Sequence, residues 1–365
     1  MVIKSLELEN FRNYGNLFIE FDEGTNILTG ENAQGKTNIL EAIYLCSTSK
    51  SHKGQKDGEI IKFGNEEGHL RTIVNKKDED LRIDMHLRKG KSKVIALNME
   101  KLKKTSELIG ILNVVLFSPE DLNIIKGGPS YRRSFVDMQI CRLDSSYVFN
   151  LSNYNKIIDQ RNKLLKDIYF QPALKETLFI WDSQLQSYGS QVIKKRKEFI
   201  KELNEIVKKI HLRLTGNKED IEIIYEPDTE EDKIEEVLRS NAERDLKSKM
   251  TSSGPHRDDY IININGIDAR KFGSQGQQRT LALSLKLAEI EIIKNKTGEN
   301  PILLLDDVLS ELDSNRQNML LESIDEIQTI ITCTGLDDFI NERFKIDKIF
   351  RVNNGIVECV NQENQ

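Results

Sequence analysis

Eight consecutive residues, Gly30-Glu31-Asn32-Ala33-Gln34-Gly35-Lys36-Thr37, match the pattern G-x-x-x-x-G-K-[ST]. They stand between an apolar, strand-like run and a run with helical spacing. Glycines let a backbone fold into a nest whose N–H groups face an anion, and a helix starting directly afterwards adds the positive end of its dipole. That chemistry is phosphate binding. Lys36 is expected to reach the β- and γ-phosphates of a nucleotide, and the Thr37 hydroxyl to ligate Mg²⁺. Such a site needs a carboxylate for its metal, ordinarily at the end of a buried parallel strand. Ile302-Leu303-Leu304-Leu305 followed by Asp306-Asp307 supplies it. Four apolar residues suit a strand covered on both faces, and its C-terminal edge is where open α/β sheets bind ligands. Asp306 is expected at the metal, and Asp307 is placed to orient or deprotonate an attacking water. Together the motifs predict an ATPase with Lys36 and Asp307 as its catalytic side chains.

A third element, Ser274-Gln275-Gly276-Gln277-Gln278-Arg279, opens a helical run roughly 30 residues before the acid pair. Alone it reads as an N-cap serine with a polar first turn. In its order relative to the other motifs it resembles the S-x-G-Q signature of ABC ATPases, whose helix N-terminus contacts the γ-phosphate held by the opposite subunit. Ser310-Glu311-Leu312-Asp313 resembles the D-loop of the same class. The resemblance implies a head-to-tail dimer that buries two ATP molecules, with Ser274, Gly276 and Gln277 added to the nucleotide contacts.

These residues need a scaffold, and the pattern of the chain describes one. Val2 to Leu8 alternates apolar and polar residues, Leu17 to Phe21 is short and apolar, and Thr25 to Thr29 leads into the glycine loop. Residues 70 to 99 carry further alternating runs, predicting an antiparallel meander. Val114 to Phe117 should end as a strand at Ser118-Pro119. From residue 122 to 214 the period becomes helical. Tyr147, Leu151, Tyr154 and Ile158 follow 3-and-4 spacing, as do Leu185, Tyr188, Val192 and Phe199. Two long amphipathic helices follow, either a helical arm or a plain helical subdomain. Beyond residue 215 come β and α/β signals again, with hairpins at Asn265-Gly266 and Asn354-Gly355. The expected fold is therefore α/β: an ATPase lobe from residues 1–121 and 215–365, mixed α/β with an antiparallel β subdomain, and a helical lobe over residues 122–214.

Composition excludes several classes. Of 365 residues, 38% are hydrophobic and 31% charged, enough for one large or two medium cored domains. A net charge of −6 argues against a generally basic, nucleic-acid-coating chain, although 53 Lys and Arg leave room for a local basic face. The four cysteines form no C-x-x-C pair, so neither a zinc site nor a disulfide framework is expected, and a reducing, cytoplasmic setting fits. The N-terminal run lacks the apolar stretch of a signal peptide or membrane span.

More specific stretches narrow the resemblance. Asn10-Phe11-Arg12-Asn13-Tyr14, Gly30 through Ala42, Phe117-Ser118-Pro119-Glu120-Asp121-Leu122 with Pro129 and Arg132-Arg133, Gly254-Pro255-His256-Arg257-Asp258-Asp259, and Ser274 through Arg279 are similar to the RecF family of ABC/SMC-type ATPases. That resemblance runs along the whole chain. It implies an ATP-dependent homodimer that binds double-stranded DNA and single-strand/double-strand junctions. It also implies work with RecO and RecR in loading recombinase, and weak, DNA-stimulated ATP hydrolysis. Arg12 is either near the nucleotide or a surface charge at a turn. His256 is either a base beside Asp258 and Asp259 or a structural hydrogen-bonding group, and Arg132-Arg133 either touch phosphates or form a solvated helix face. The sequence departs from generic ABC proteins at Asp307, where many carry Glu, and at Thr332-Cys333-Thr334, which holds no switch histidine. Both departures favour slow hydrolysis. An SMC-type chromosome organiser would need far more coiled coil between the motifs, and a transporter subunit would need the switch histidine.

Overall fold

The computed structural model describes residues 1–309, 312–324, 326–335 and 345–360. In chain order these form β1 (Val2–Phe11), β2 (Tyr14–Glu20), β3 (Thr25–Thr29), α1 (Lys36–Thr48), β4 (Glu67–Lys76), β5 (Glu79–Arg88), β6 (Val94–Leu97), β7 (Glu100–Lys101) and β8 (Val114–Phe117). Next come α2 (Asn123–Lys126), α3 (Pro129–Leu143), α4 (Ser145–Asp167), α5 (Leu178–Leu214), β9 (Ile221–Glu226), α6 (Ile234–Ser240) and α7 (Ala242–Ser248). The chain ends with β10 (Asp259–Ile264), β11 (Ile267–Asp268), α8 (Ala269–Phe272), α9 (Gln275–Thr297), β12 (Ile302–Asp306), α10 (Ser314–Ser323), β13 (Thr329–Cys333), β14 (Ile346–Asn353) and β15 (Ile356–Val360). Two compact units result, one of Met1–Asp121 with Glu289–Gln365, the other Leu122–Ala288.

The first unit holds two six-stranded sheets. One, in the order β2-β1-β4-β5-β6-β7, is antiparallel throughout, as the alternation of its strands requires. Ile3, Leu6, Leu8, Leu70, Val74, Ile83, Met85 and Leu87 are buried, and Glu7, Glu9, Glu67 and His69 are exposed. The other sheet runs β15-β14-β3-β13-β12-β8, parallel from β14 to β8. Every residue of β12 and β13 is buried, which is why these strands show no alternation. Apolar residues of α1, among them Ile39, Leu40 and Ile43, share one core with both sheets.

Gln328, almost fully buried, ties β1 to the entrance of β13. Its Oε1 accepts from Ile3 N at 2.7 Å, and its Nε2 donates to Ile3 O at 2.8 Å and Asp22 O at 2.7 Å. The pairing of β1 with β4 shifts register between Ile3 and Ser5, so Ile3 takes these bonds from a side chain. Gln328→Leu strands these three backbone groups and is expected to destabilise the unit by about 3 kcal/mol. Hydrogen exchange over Val2–Phe11 should accelerate accordingly. Unchanged exchange there would refute the role.

The second unit is built on an antiparallel pair, α4 and α5. Its 37 residues make α5 about 55 Å long. Tyr154, Ile157 and Ile158 of α4 meet Leu185 and Ile193 of α5, and Ile234 and Leu238 of α6 complete that cluster. The sequence expectation returned the chain to the ATPase lobe at residue 215. In the structure the unit continues to Ala288, because β9, β10 and β11 form a separate three-stranded sheet against the long helix. Its edge is covered: Asn204 of α5 donates to Ile223 O and accepts from Ile223 N, both at 2.7 Å. Among the described residues no helix is long and apolar enough to cross a membrane.

Candidate active site

The loop of residues 30–35 joins β3 to α1, and its conformation depends on two glycines. Gly30 has φ of 153°, and a Cβ there would meet Val352 O at 2.3 Å; Gly35 has φ of 116° and lies against Asn13 and Tyr14. Ala33 between them is also left-handed, at φ 64°. The loop is braced from outside. Tyr14 Oη donates to Gly35 O at 3.0 Å, Asn13 Nδ2 to Gln34 O at 3.0 Å, and Asn354 N to Gln34 Oε1 at 2.6 Å. The hairpin turn of β14 and β15 thus reaches the crown of the loop, a contact no sequence pattern announced. Helix α1 begins at Lys36 with no side-chain cap, so its first N–H groups remain open to an anion.

Lys36 folds over this loop, its Nζ donating to Gly30 O and, at 2.8 Å, to Glu31 O. Burial lowers its pKa, an effect opposed by the charges of Asp307 and Asp306. Thr37 Oγ1 donates to Asp306 Oδ1 at 2.8 Å, so the two expected metal ligands already meet across 269 residues of sequence. Thr37 and Asp306 fit a divalent cation by chemistry as well, offering a hydroxyl and a carboxylate, the hard oxygen donors that Mg²⁺ prefers. Thr332 in β13 belongs to no sequence motif for the site, yet its hydroxyl organises both acids. It donates to Asp306 Oδ1 at 2.9 Å and accepts from Asp307 N at 3.0 Å. Asp307 leaves the strand at φ 54°, a left-handed turn that Asp tolerates better than most residues, and its side chain is exposed while Asp306 is buried.

Arg12 sits in a left-handed turn at φ 54° and is not a free surface charge. Its Nε and Nη2 donate to the two carboxylate oxygens of Glu41, each at 2.7 Å, and it also bonds Gln55. Glu41 lies on α1 and is fully buried. Burial would raise its pKa, but the bonds from Arg12 and Ser51 prevail and hold it below the ordinary carboxylate range. Nothing in the spacing of the motif marks Glu41 as Arg12's partner, 29 residues away.

Ser274, Gly276 and Gln277 lie in the other unit, at the start of α9. Gln277 N donates to Ser274 Oγ at 3.2 Å and Ser274 N to Gln277 Oε1 at 2.9 Å, a capping box. Gln277 Nε2 donates to Glu219 at 2.9 Å, and Glu219 in turn meets the buried His211 at 3.2 Å. Ser274 and Gln275 are exposed. Of the stretch similar to a D-loop, Ser310 and Glu311 lie outside the described residues; Asp313 caps α10.

The remaining candidates resolve into packing. His256 Nδ1 faces Tyr154 Oη at 2.8 Å and Nε2 faces Thr251 O at 3.1 Å; burial pushes its pKa down to about 4. With both ring nitrogens engaged, His256 is a structural group. Arg132 is buried and forms a two-pronged pair with Asp259 at 2.7 and 2.9 Å, while Arg133 donates to Asp258 O at 2.8 Å. Arg132 is therefore neither a phosphate contact nor part of a solvated face.

Comparison with known proteins agrees with this arrangement. The family model described as RecF/RecN/SMC N terminal domain matches residues 2–358. The DNA replication and repair proteins RecF of Agathobacter rectalis and Lachnoclostridium phytofermentans are each 58% identical to the chain. The first match covers 99% of this chain and all of its relative, the second 98% and 99%. A solved structure of the recombination mediator protein RecF with ATP, in the RecFOR pathway, superposes with a TM-score of 0.91 at 39% identity, covering 98% of this chain and 97% of its own. The Smc head domain of Pyrococcus furiosus, at 19% identity and a TM-score of 0.54 over 98% and 95% of the two chains, shares the fold. The chain belongs to the RecF family, within the wider group of RecF/RecN/SMC N-terminal ATPase heads.

Proposed function

We propose that this protein is a cytoplasmic, ATP-dependent DNA-binding factor of recombinational repair and replication restart. In this reading ATP joins two copies head to tail, the dimer engages duplex and gapped DNA, and slow hydrolysis resets it. The observation that carries it is the junction of Thr37 Oγ1 with Asp306 Oδ1 beneath an uncapped helix start, with Lys36 folded over the loop. Family membership supports the rest, since related RecF structures are described with ATP and in the RecFOR pathway, which makes RecO and RecR the expected partners.

The residues divide the work as follows. The N–H groups of residues 31–37 receive phosphate oxygens, and Lys36 exchanges its carbonyl partners for the β- and γ-phosphates. Mg²⁺, held by Thr37 and Asp306, would neutralise charge on the phosphate oxygens. Asp307 orients water or takes its proton; being one methylene shorter than glutamate, it does so less well, and turnover is slow. Arg12, fixed by Glu41, lies with the nucleotide-contacting residues. The exposed Ser274 cap and its helix end, with Gly276 and Gln277, meet the γ-phosphate of the partner copy. The nucleotide stabilises the dimer by its preference for that state. Lys and Arg on the dimer bind DNA phosphates, with an affinity that falls steeply with salt.

Asp307→Asn is the direct test. It should keep ATP binding, abolish turnover and accumulate an ATP-loaded dimer, visible by light scattering as a doubling of mass. Monomer alone at saturating ATP would refute the reading. Gel shifts with gapped, blunt and single-stranded DNA, with and without ATP, separate the DNA arm from the nucleotide arm.

A further inference from the structure

On the outer face of the antiparallel sheet, away from the ATP-site residues in sequence, Glu67, His69 and His86 bring one carboxylate oxygen and two imidazole nitrogens within 4.8 Å of one another. The placement follows from register. His69 and His86 are directly paired across β4 and β5, so their side chains share a face, and Glu67 precedes His69 by two residues on that same face. The imidazoles stack with centroids 4.0 Å apart and planes inclined by 18°, and His86 Nε2 meets Glu67 Oε2 at 2.9 Å. Glu9 stands opposite His69 on β1 and lines the same shallow hollow as the two histidines. Glu7 and Asp84 on this face are engaged by Arg71, whereas no ion pair holds Glu9 among the described residues.

We propose that this cluster is a surface site for a borderline divalent metal ion of the zinc class, ligated by His69, His86 and Glu67. Two imidazoles and a carboxylate are a common zinc donor set, and the hard cation Mg²⁺ has little use for imidazole. Ligand atoms around a tetrahedral zinc stand roughly 3.3 Å apart, so rotation of side chains closes the cluster without moving the strands. Glu9 or water completes the shell. The ion would staple β4 to β5, close to the turn that follows β1 and carries Arg12. This site is independent of the nucleotide reading.

The test uses the full chain, stripped with chelator and free of nucleotide and Mg²⁺, titrated with Zn²⁺ against a chromophoric chelator. One zinc per chain is expected, with affinity reduced on the order of a hundredfold or more in the His69→Ala/His86→Ala variant. Co²⁺ should give the intense visible bands of a four-coordinate ion in the wild type and lose them in Glu67→Gln, a change at an exposed position that leaves the fold intact. No zinc binding by the wild type, or equal binding by the double variant, overturns the proposal.

Discussion

Lys36→Ala is expected to weaken ATP binding by a hundredfold or more and to leave the thermal unfolding of the ligand-free protein nearly unchanged. The ammonium is folded over the loop, and the bonds to phosphate that the proposed role gives it would be charge-assisted. Removing a charged hydrogen-bonding partner costs about 3 kcal/mol, which is that factor in affinity. Among the described residues the same group hydrogen-bonds the loop carbonyls of Gly30 and Glu31 alone. Water replaces it there. The loop itself is fixed by Tyr14, Asn13 and Asn354, none of which the substitution touches. Titration with a fluorescent ATP analogue reads the effect, and DNA binding that depends on ATP should disappear in parallel. Retained affinity within threefold would show that Lys36 does not reach the phosphates. Loss of DNA binding without loss of nucleotide binding would separate the two halves of the proposed function.

The part of the fold that builds the candidate site was legible because its signals are local. Four apolar residues before Asp306, a glycine loop between strand and helix, and Asn-Gly hairpins each follow from the backbone they require. The structure realises them as β12, the β3–α1 loop and the turns at residues 265 and 354. What stayed hidden are side chains whose partners are distant in sequence. Thr332 holds Asp306 from 26 positions away, Glu41 matters only because Arg12 folds onto it, and Gln328 reaches Ile3 across 325 positions. None of these has a period or a spacing. The extent of the second unit was hidden for a related reason: periodicity identified its helices but not that β9 would lie on α5 through Asn204. Arginine is the residue type whose role the sequence leaves most open: Arg132, a phosphate contact or part of a solvated face by sequence, is buried in a pair with Asp259, and Arg12, near the nucleotide or a surface charge by sequence, is paired with Glu41.

Arg196→Met is expected to destabilise the second unit by about 3–5 kcal/mol. Arg196 is almost completely buried in α5, and all three of its guanidinium nitrogens are hydrogen-bonded. It bonds Asp137 through Nε and Nη2, each at 2.9 Å, and Asp258 and Pro255 O through Nη1, each at 2.7 Å. Methionine fills much of the same volume, so the loss is electrostatic rather than a cavity. Two carboxylates are left without their cation, and Asp258 has no exposure to water. Burial already raises the pKa of Asp258 while Arg196 opposes it, so the variant raises it further. A raised carboxyl binds its proton more tightly in the folded than in the unfolded state. Folding of the variant therefore takes up a proton, and its deficit should shrink as pH falls through that raised value. Trp181, the single tryptophan, lies beside the α4–α5 cluster and reports urea unfolding of this unit by fluorescence. Adding Asp258→Asn removes one stranded charge and should restore part of the loss. A deficit below about 1 kcal/mol, or one independent of pH, would mean that these acids find other partners. The expected outcome would assign Asp258, beside the Arg132-paired Asp259, to holding the unit together.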